Sequence, residues 1–123
     1  MIKNLILVAI GGAFGSALRY LIHWMVNKKT TTQFPIQTLI VNVIGCLLIG
    51  LLIGYFAKNQ NDNESLKLLL ITGFCGGFTT FSAFGLENMT LIQNQNYQLA
   101  FIYTSLSLIL GILAVGFGIF ITK

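Results

Sequence analysis

Charge is what this sequence has least of. Only 8% of its 123 residues are Asp, Glu, Lys or Arg, against 55% hydrophobic, and the mean hydropathy is +0.83. A soluble domain needs far more charge than this to solvate its surface, so the chain is read as an integral membrane protein. Its cations, Lys3, Arg19, Lys28, Lys29, Lys58, Lys67 and Lys123, are scattered among apolar runs, and with no basic patch no nucleic-acid partner is expected. Histidine occurs once, at His23, and cysteine twice, at Cys46 and Cys75, both inside apolar segments without CxxC spacing. That pattern reads as structural thiols, with neither a disulfide nor a metal site expected at them. An enzyme needs a nucleophile and base in register, or a set of metal ligands, and these residues offer neither.

What is present is apolar sequence cut by short polar turns. A single all-α membrane domain over residues 1–123 follows, with spans at about 5–25, 35–56, 66–92 and 99–121. Each is long enough, at about 1.5 Å per residue, to cross a hydrocarbon core of about 30 Å. The first span begins like a signal peptide, but its apolar character continues to Met25, and it is read as a retained helix. Pro35 suits the first turn of the second helix, and the turn Lys58 to Ser65 supplies an Asp or Asn cap for the third.

A few interior polar residues stand out. Gly11 and Gly15 have the GxxxG spacing that lets a neighbouring backbone come close. Arg19 either faces a bundle interior or snorkels to the interface, and His23 beside Trp24 reads as interfacial. Asn42 needs a hydrogen-bond partner, either as glue between helices or as a donor to a passing solute. Glu87 faces the interior or lies near the far interface, and Tyr103 and Ser107, four residues apart, share one helix face.

The stretch Gly73 to Glu87, GFCGGFTTFSAFGLE, interrupts the third span. A helix that breaks near Gly76-Gly77 ends in free carbonyls, a site for a cation. It restarts with free N–H groups near Thr79 and Thr80, a site for an anion. Phe81 and Phe84 lie on one face of the second half, and phenyl edges are electropositive enough to hold an anion weakly. Packing is the competing account of those rings. A phosphate loop is discarded, since no GK[ST] follows.

With four spans, Lys3, Lys58, Lys67 and Lys123 share one membrane side and Lys28 and Lys29 the other, with Arg19 added if counted. So slight a bias barely fixes orientation, which allows insertion both ways round and an antiparallel homodimer.

The segments Gly11 to Tyr20 (GGAFGSALRY), Pro35 to Gly45 (PIQTLIVNVIG) and Gly73 to Glu87 together resemble the bacterial fluoride channel family, CrcB or Fluc. The resemblance implies a dual-topology homodimer in the bacterial inner membrane, embedded in lipid. It implies two pores that pass fluoride passively out of the cytoplasm and a structural Na+ on the two-fold axis. Carried over by position, Gly76 and Thr79 supply sodium's backbone carbonyls, Asn42, Phe81 and Phe84 line the pore, and Ser82, Tyr103 and Ser107 form a polar track. That track is shortened because Gly111 and Val115 take the next two turns. Arg19 and Glu87 match as vestibule or structural charges. A small multidrug exporter, the main rival, would want a carboxylate in the first span, where this chain has Arg19.

Overall fold

The computed structural model describes residues 1–27, 33–60 and 62–122, all helix and turn. Lys28, Lys29 and Lys123, which entered the charge comparison, lie outside the described residues. Helix α1 is Ile2–Asn27 and α2 is Ile36–Lys58. The third span, Glu64–Gln93, is composite: α3 (Glu64–Lys67), a π-helical stretch (Leu68–Cys75), α4 (Gly76–Phe78), and, beyond a break, α5 (Phe81–Gln93). Helix α6 is Tyr97–Thr122. The four spans are long and apolar enough to cross a membrane, each slightly longer or shifted relative to the sequence expectation.

Local chemistry sets the ends. Pro35 stands immediately before α2, and Asn63 caps α3 by accepting from the Leu66 N–H at 3.1 Å. The turn into α6 closes with Gln95 at φ 62°, Asn96 N–H bonded to Leu91 O (2.8 Å) and Gln95 N–H to Ile92 O (3.0 Å). That paired pattern is a Schellman ending, with Gln95 at the left-handed position usually given to glycine.

The spans pair as α2 against α6 and α1 against the π-helical stretch and α4. Helix α1 buries only Gly11 and Gly15, so its large side chains are left for lipid or a partner. A Cβ on Gly15 would sit 2.8 Å from the Phe78 amide nitrogen, which shows how closely the third span's backbone runs. The GxxxG pair therefore serves a contact inside the chain. The small buried core gathers Leu39, Leu91, Ala100 and Tyr103 at one end of the bundle.

Candidate ion pathway at the helix break

The interruption falls at Thr79 and Thr80, a few residues after the glycine pair expected to carry it. Gly76 stays helical at φ −63°, ψ −39°, whereas Thr79 (−86°, 159°) and Thr80 (−151°, 123°) are extended. Gly77 is needed for approach instead: a Cβ there would lie 2.6 Å from the Gly12 carbonyl oxygen.

Threonine chemistry and Asn42 hold the break open. Thr79 closes the first half, its N–H (3.0 Å) and its hydroxyl (2.9 Å) both donating to Cys75 O. Thr80 starts the second half as an N-cap, its Oγ1 accepting from the Ala83 N–H at 3.2 Å. Asn42 on α2 binds the extended Thr80 backbone at both groups. Its amide nitrogen donates to Thr80 O (3.1 Å), and its oxygen accepts from Thr80 N–H (2.9 Å). In an unbroken helix the Thr80 and Ala83 amides would bond Gly76 O and Thr79 O. Both are diverted, so those two carbonyls lose their helical donors. Gly77 O is met from α1, by Arg19 Nε at 3.2 Å and Ser16 Oγ at 3.4 Å. Of the two readings of Arg19, the interior partner is the one present.

Beside the break lies a groove of about 500 Å³. Its lining includes Asn42, Gly76, Thr79, Thr80, Phe81, Phe84 and Ser107. The Phe81 and Phe84 centroids are 5.7 Å apart with planes inclined at 40°, and Phe81 is 82% exposed at the groove's edge. Ser107 Oγ is buried with no hydrogen-bond partner among the described residues. Ser82 stands outside, its hydroxyl 3.1 Å from Thr80 Oγ1. The polar face of α6 stops after Ser107 because Gly111 is buried and the Val115 carbonyl is packed directly on Gly50 of α2.

Glu87 and Tyr103 form a second cluster one turn along. Glu87 Oε2 accepts from Thr38 Oγ1 (2.8 Å) and Oε1 from the Tyr103 hydroxyl (3.0 Å). Thr38 and Tyr103 are fully buried, and the Tyr103 ring lies 5.1 Å from Phe84. Both carboxyl oxygens of this half-buried side chain are thus satisfied. Glu87 also borders a polar pocket of about 360 Å³ with Asn27, Gln33, Gln37 and Asn94, where Gln33 hydrogen-bonds Asn96. The sequence reading gave no role to Thr38, to the Thr80 cap, or to Asn88 and Thr104, whose 3.1 Å bond pins α5 to α6. A hydroxyl opening an apolar helix was the one signal for Thr80. The other contacts join distant positions and leave none. His23, read as interfacial, is half-buried with Nε2 unpartnered among the described residues.

Four apolar spans with an interrupted third and a groove at the interruption define a multi-pass membrane protein. Residues 6–119 match the family model described as CrcB-like protein, Camphor Resistance (CrcB), and the chain belongs to that family. A protein of Flavobacterium psychrophilum named "Fluoride-specific ion channel FluC" is 48% identical over 121 residues, 98% of each chain. Proteins of the same name from Azobacteroides pseudotrichonymphae and Gloeothece citriformis are 42% and 44% identical, covering 100% and 98% of this chain and 98% and 97% of their own lengths. These relatives bear the name of an ion channel, and the family is one of channels, not enzymes.

Proposed function

We propose that this protein is a fluoride-selective channel that lets fluoride leave the cytoplasm passively across a bacterial inner membrane and so protects against fluoride toxicity. The observation that carries the reading is the convergence of Asn42, Phe81, Phe84 and the Ser107 hydroxyl, unpartnered among the described residues, on one groove at the helix break. The relatives' printed name supplies the ion.

The chemistry suits a small, strongly hydrated anion. Fluoride must exchange water for several donors, none strong enough to trap it. Ser107 has a hydroxyl to give, and Asn42 has a second amide hydrogen beyond the one spent on Thr80 O. Phenyl edges add weak positive potential. Ser82, beside the Thr80 cap, and Tyr103, whose ring packs on Phe84, flank the groove as the further members of the polar track, with Tyr103 and Thr38 keeping the Glu87 carboxylate occupied. Arg19 serves as a structural cation beside the break, with a net positive field toward the anion.

Two copies, inserted in opposite orientations, make the working unit, with two pores. Phe81, 82% exposed on a single chain, is the aromatic a second copy would cover. The donor set fits a structural Na+: hard oxygens at a helix C-terminal end, namely the Gly76 and Thr79 carbonyls, which have lost their helical donors. Bound there, sodium supplies positive charge that joins the subunits without permeating. Among the described residues no group of three or more His, Cys, Asp or Glu side chains offers another metal site.

A bacterium lacking its own fluoride export tests this directly. Expression of the chain is expected to restore growth in fluoride, and failure at normal membrane levels overturns the reading.

A further inference from the structure

The two cysteines are far apart in sequence, yet the fold brings them to the same groove. Helix α2 and the first half of the third span run antiparallel, and their contacts fix the register. Asn42 bonds Thr80, and a Cβ on Gly45 would run into the Thr79 side chain. Along this seam the groove is lined by Cys46 on α2, one residue past Gly45, and by Gly76 and then Cys75 on the third span, followed by Ile49 on α2 and by Thr72 and Ile71 on the π-helical stretch. An added Cβ on Gly111 of α6, which lines the same groove, would be 3.5 Å from the Cys46 sulfur, so that thiol lies at the groove wall. Cys75 is 2% exposed, and both thiols are free.

We propose that Cys46 and Cys75 form a two-thiol site for a soft, linear two-coordinate d¹⁰ cation, with mercury(II) the best match. Thiolates select soft metals, and the surroundings choose among them by charge. A monovalent ion held by two thiolates leaves a net negative complex in an apolar wall, whereas a divalent ion leaves a neutral one. With mercuric chloride as reagent, two Hg–Cl bonds and two S–H bonds break, two Hg–S bonds form, and two protons leave with two chlorides. No oxidant or reductant is needed. The reagent is itself neutral, which suits approach through lipid or the groove. The site differs from the carbonyl set proposed for sodium in both donors and ligand class, and thiol chemistry does not require that the groove conduct.

Titration of the purified protein in detergent with mercuric chloride, followed by ultraviolet mercury–thiolate absorbance and a count of free thiols, tests the site. One mercury per chain is expected, with both thiols disappearing together. In competition with glutathione, Cys46→Ala and Cys75→Ala are each expected to hold the metal about 100-fold less tightly, the loss of a tethered second ligand. Two mercury ions bound independently per wild-type chain would overturn the proposal, and that measurement needs no variant. Single variants that retain wild-type affinity would overturn it equally.

Discussion

Replacing Asn42 by alanine should test the physical basis of the break. The side chain makes two hydrogen bonds to Thr80, at 3.1 and 2.9 Å, in a partly buried position between α2 and the third span. A hydrogen bond contributes about 0.5–1.5 kcal/mol net, and each buried polar group left unpaired costs about 1–3 kcal/mol. Groove water can reach part of the vacated site, and the Thr80 amide can turn back toward Gly76 O, so the expected loss is about 2–4 kcal/mol. Turning back has a structural consequence: it closes the break and re-occupies a carbonyl assigned to sodium. Reversible unfolding in mixed micelles measures the loss, with Asn59→Ala as the control. Asn59 bonds Tyr55 O at 2.9 Å on an exposed helix end, and its removal should cost under about 0.5 kcal/mol. If Asn42→Ala is no more destabilising than that control, the two bonds do not hold the break open and the account of Thr80 fails.

The remaining expectations concern the aromatics, the cation and one turn. Phe81→Ile and Phe84→Ile should each lower fluoride flux by up to about tenfold, the upper end of what one aromatic interaction is worth, while the dimer persists in cross-linking. Unchanged flux in both returns the rings to packing. Exchanging sodium for a larger cation should shift purified protein from dimer toward monomer on size-exclusion chromatography, and an unshifted profile removes the Gly76 and Thr79 assignment. Gln95→Gly should stabilise the fold by about 1 kcal/mol, because Gln95 occupies left-handed space at φ 62°. A destabilised variant in the same micelle assay would contradict that reading of the turn.

Much of this architecture was legible because lipid leaves few solutions. Four apolar runs had to become helices, and Pro35 and the turn ending at Asn63 marked two starts. An interrupted third span was legible from composition, but its position was not. Gly76-Gly77 looked like the weak point because glycine has low helix propensity, yet the pair remains helical, with Gly77 packed on Gly12 of α1. What opens the chain is a tertiary bond from Asn42 together with a threonine cap, and the former has no local signature. The π-helical stretch Leu68–Cys75 is hidden for a related reason, since its aliphatic sequence would serve an α-helix equally well. Asn42 and Arg19 each had two readings, and the bonds they make to Thr80 and Gly77 on another span leave no trace in local spacing. The pairing of Glu87 with Thr38 and Tyr103 likewise joins three helices that sequence spacing cannot align.

The central claim is that the groove at the break conducts fluoride and rejects its larger congener. Purified protein reconstituted into liposomes loaded with both potassium fluoride and potassium chloride, with ionophore-clamped potassium, measures this directly. Rapid fluoride release while chloride stays trapped is the predicted result. Fluoride release no faster than from protein-free vesicles, or equal release of both ions, would contradict it.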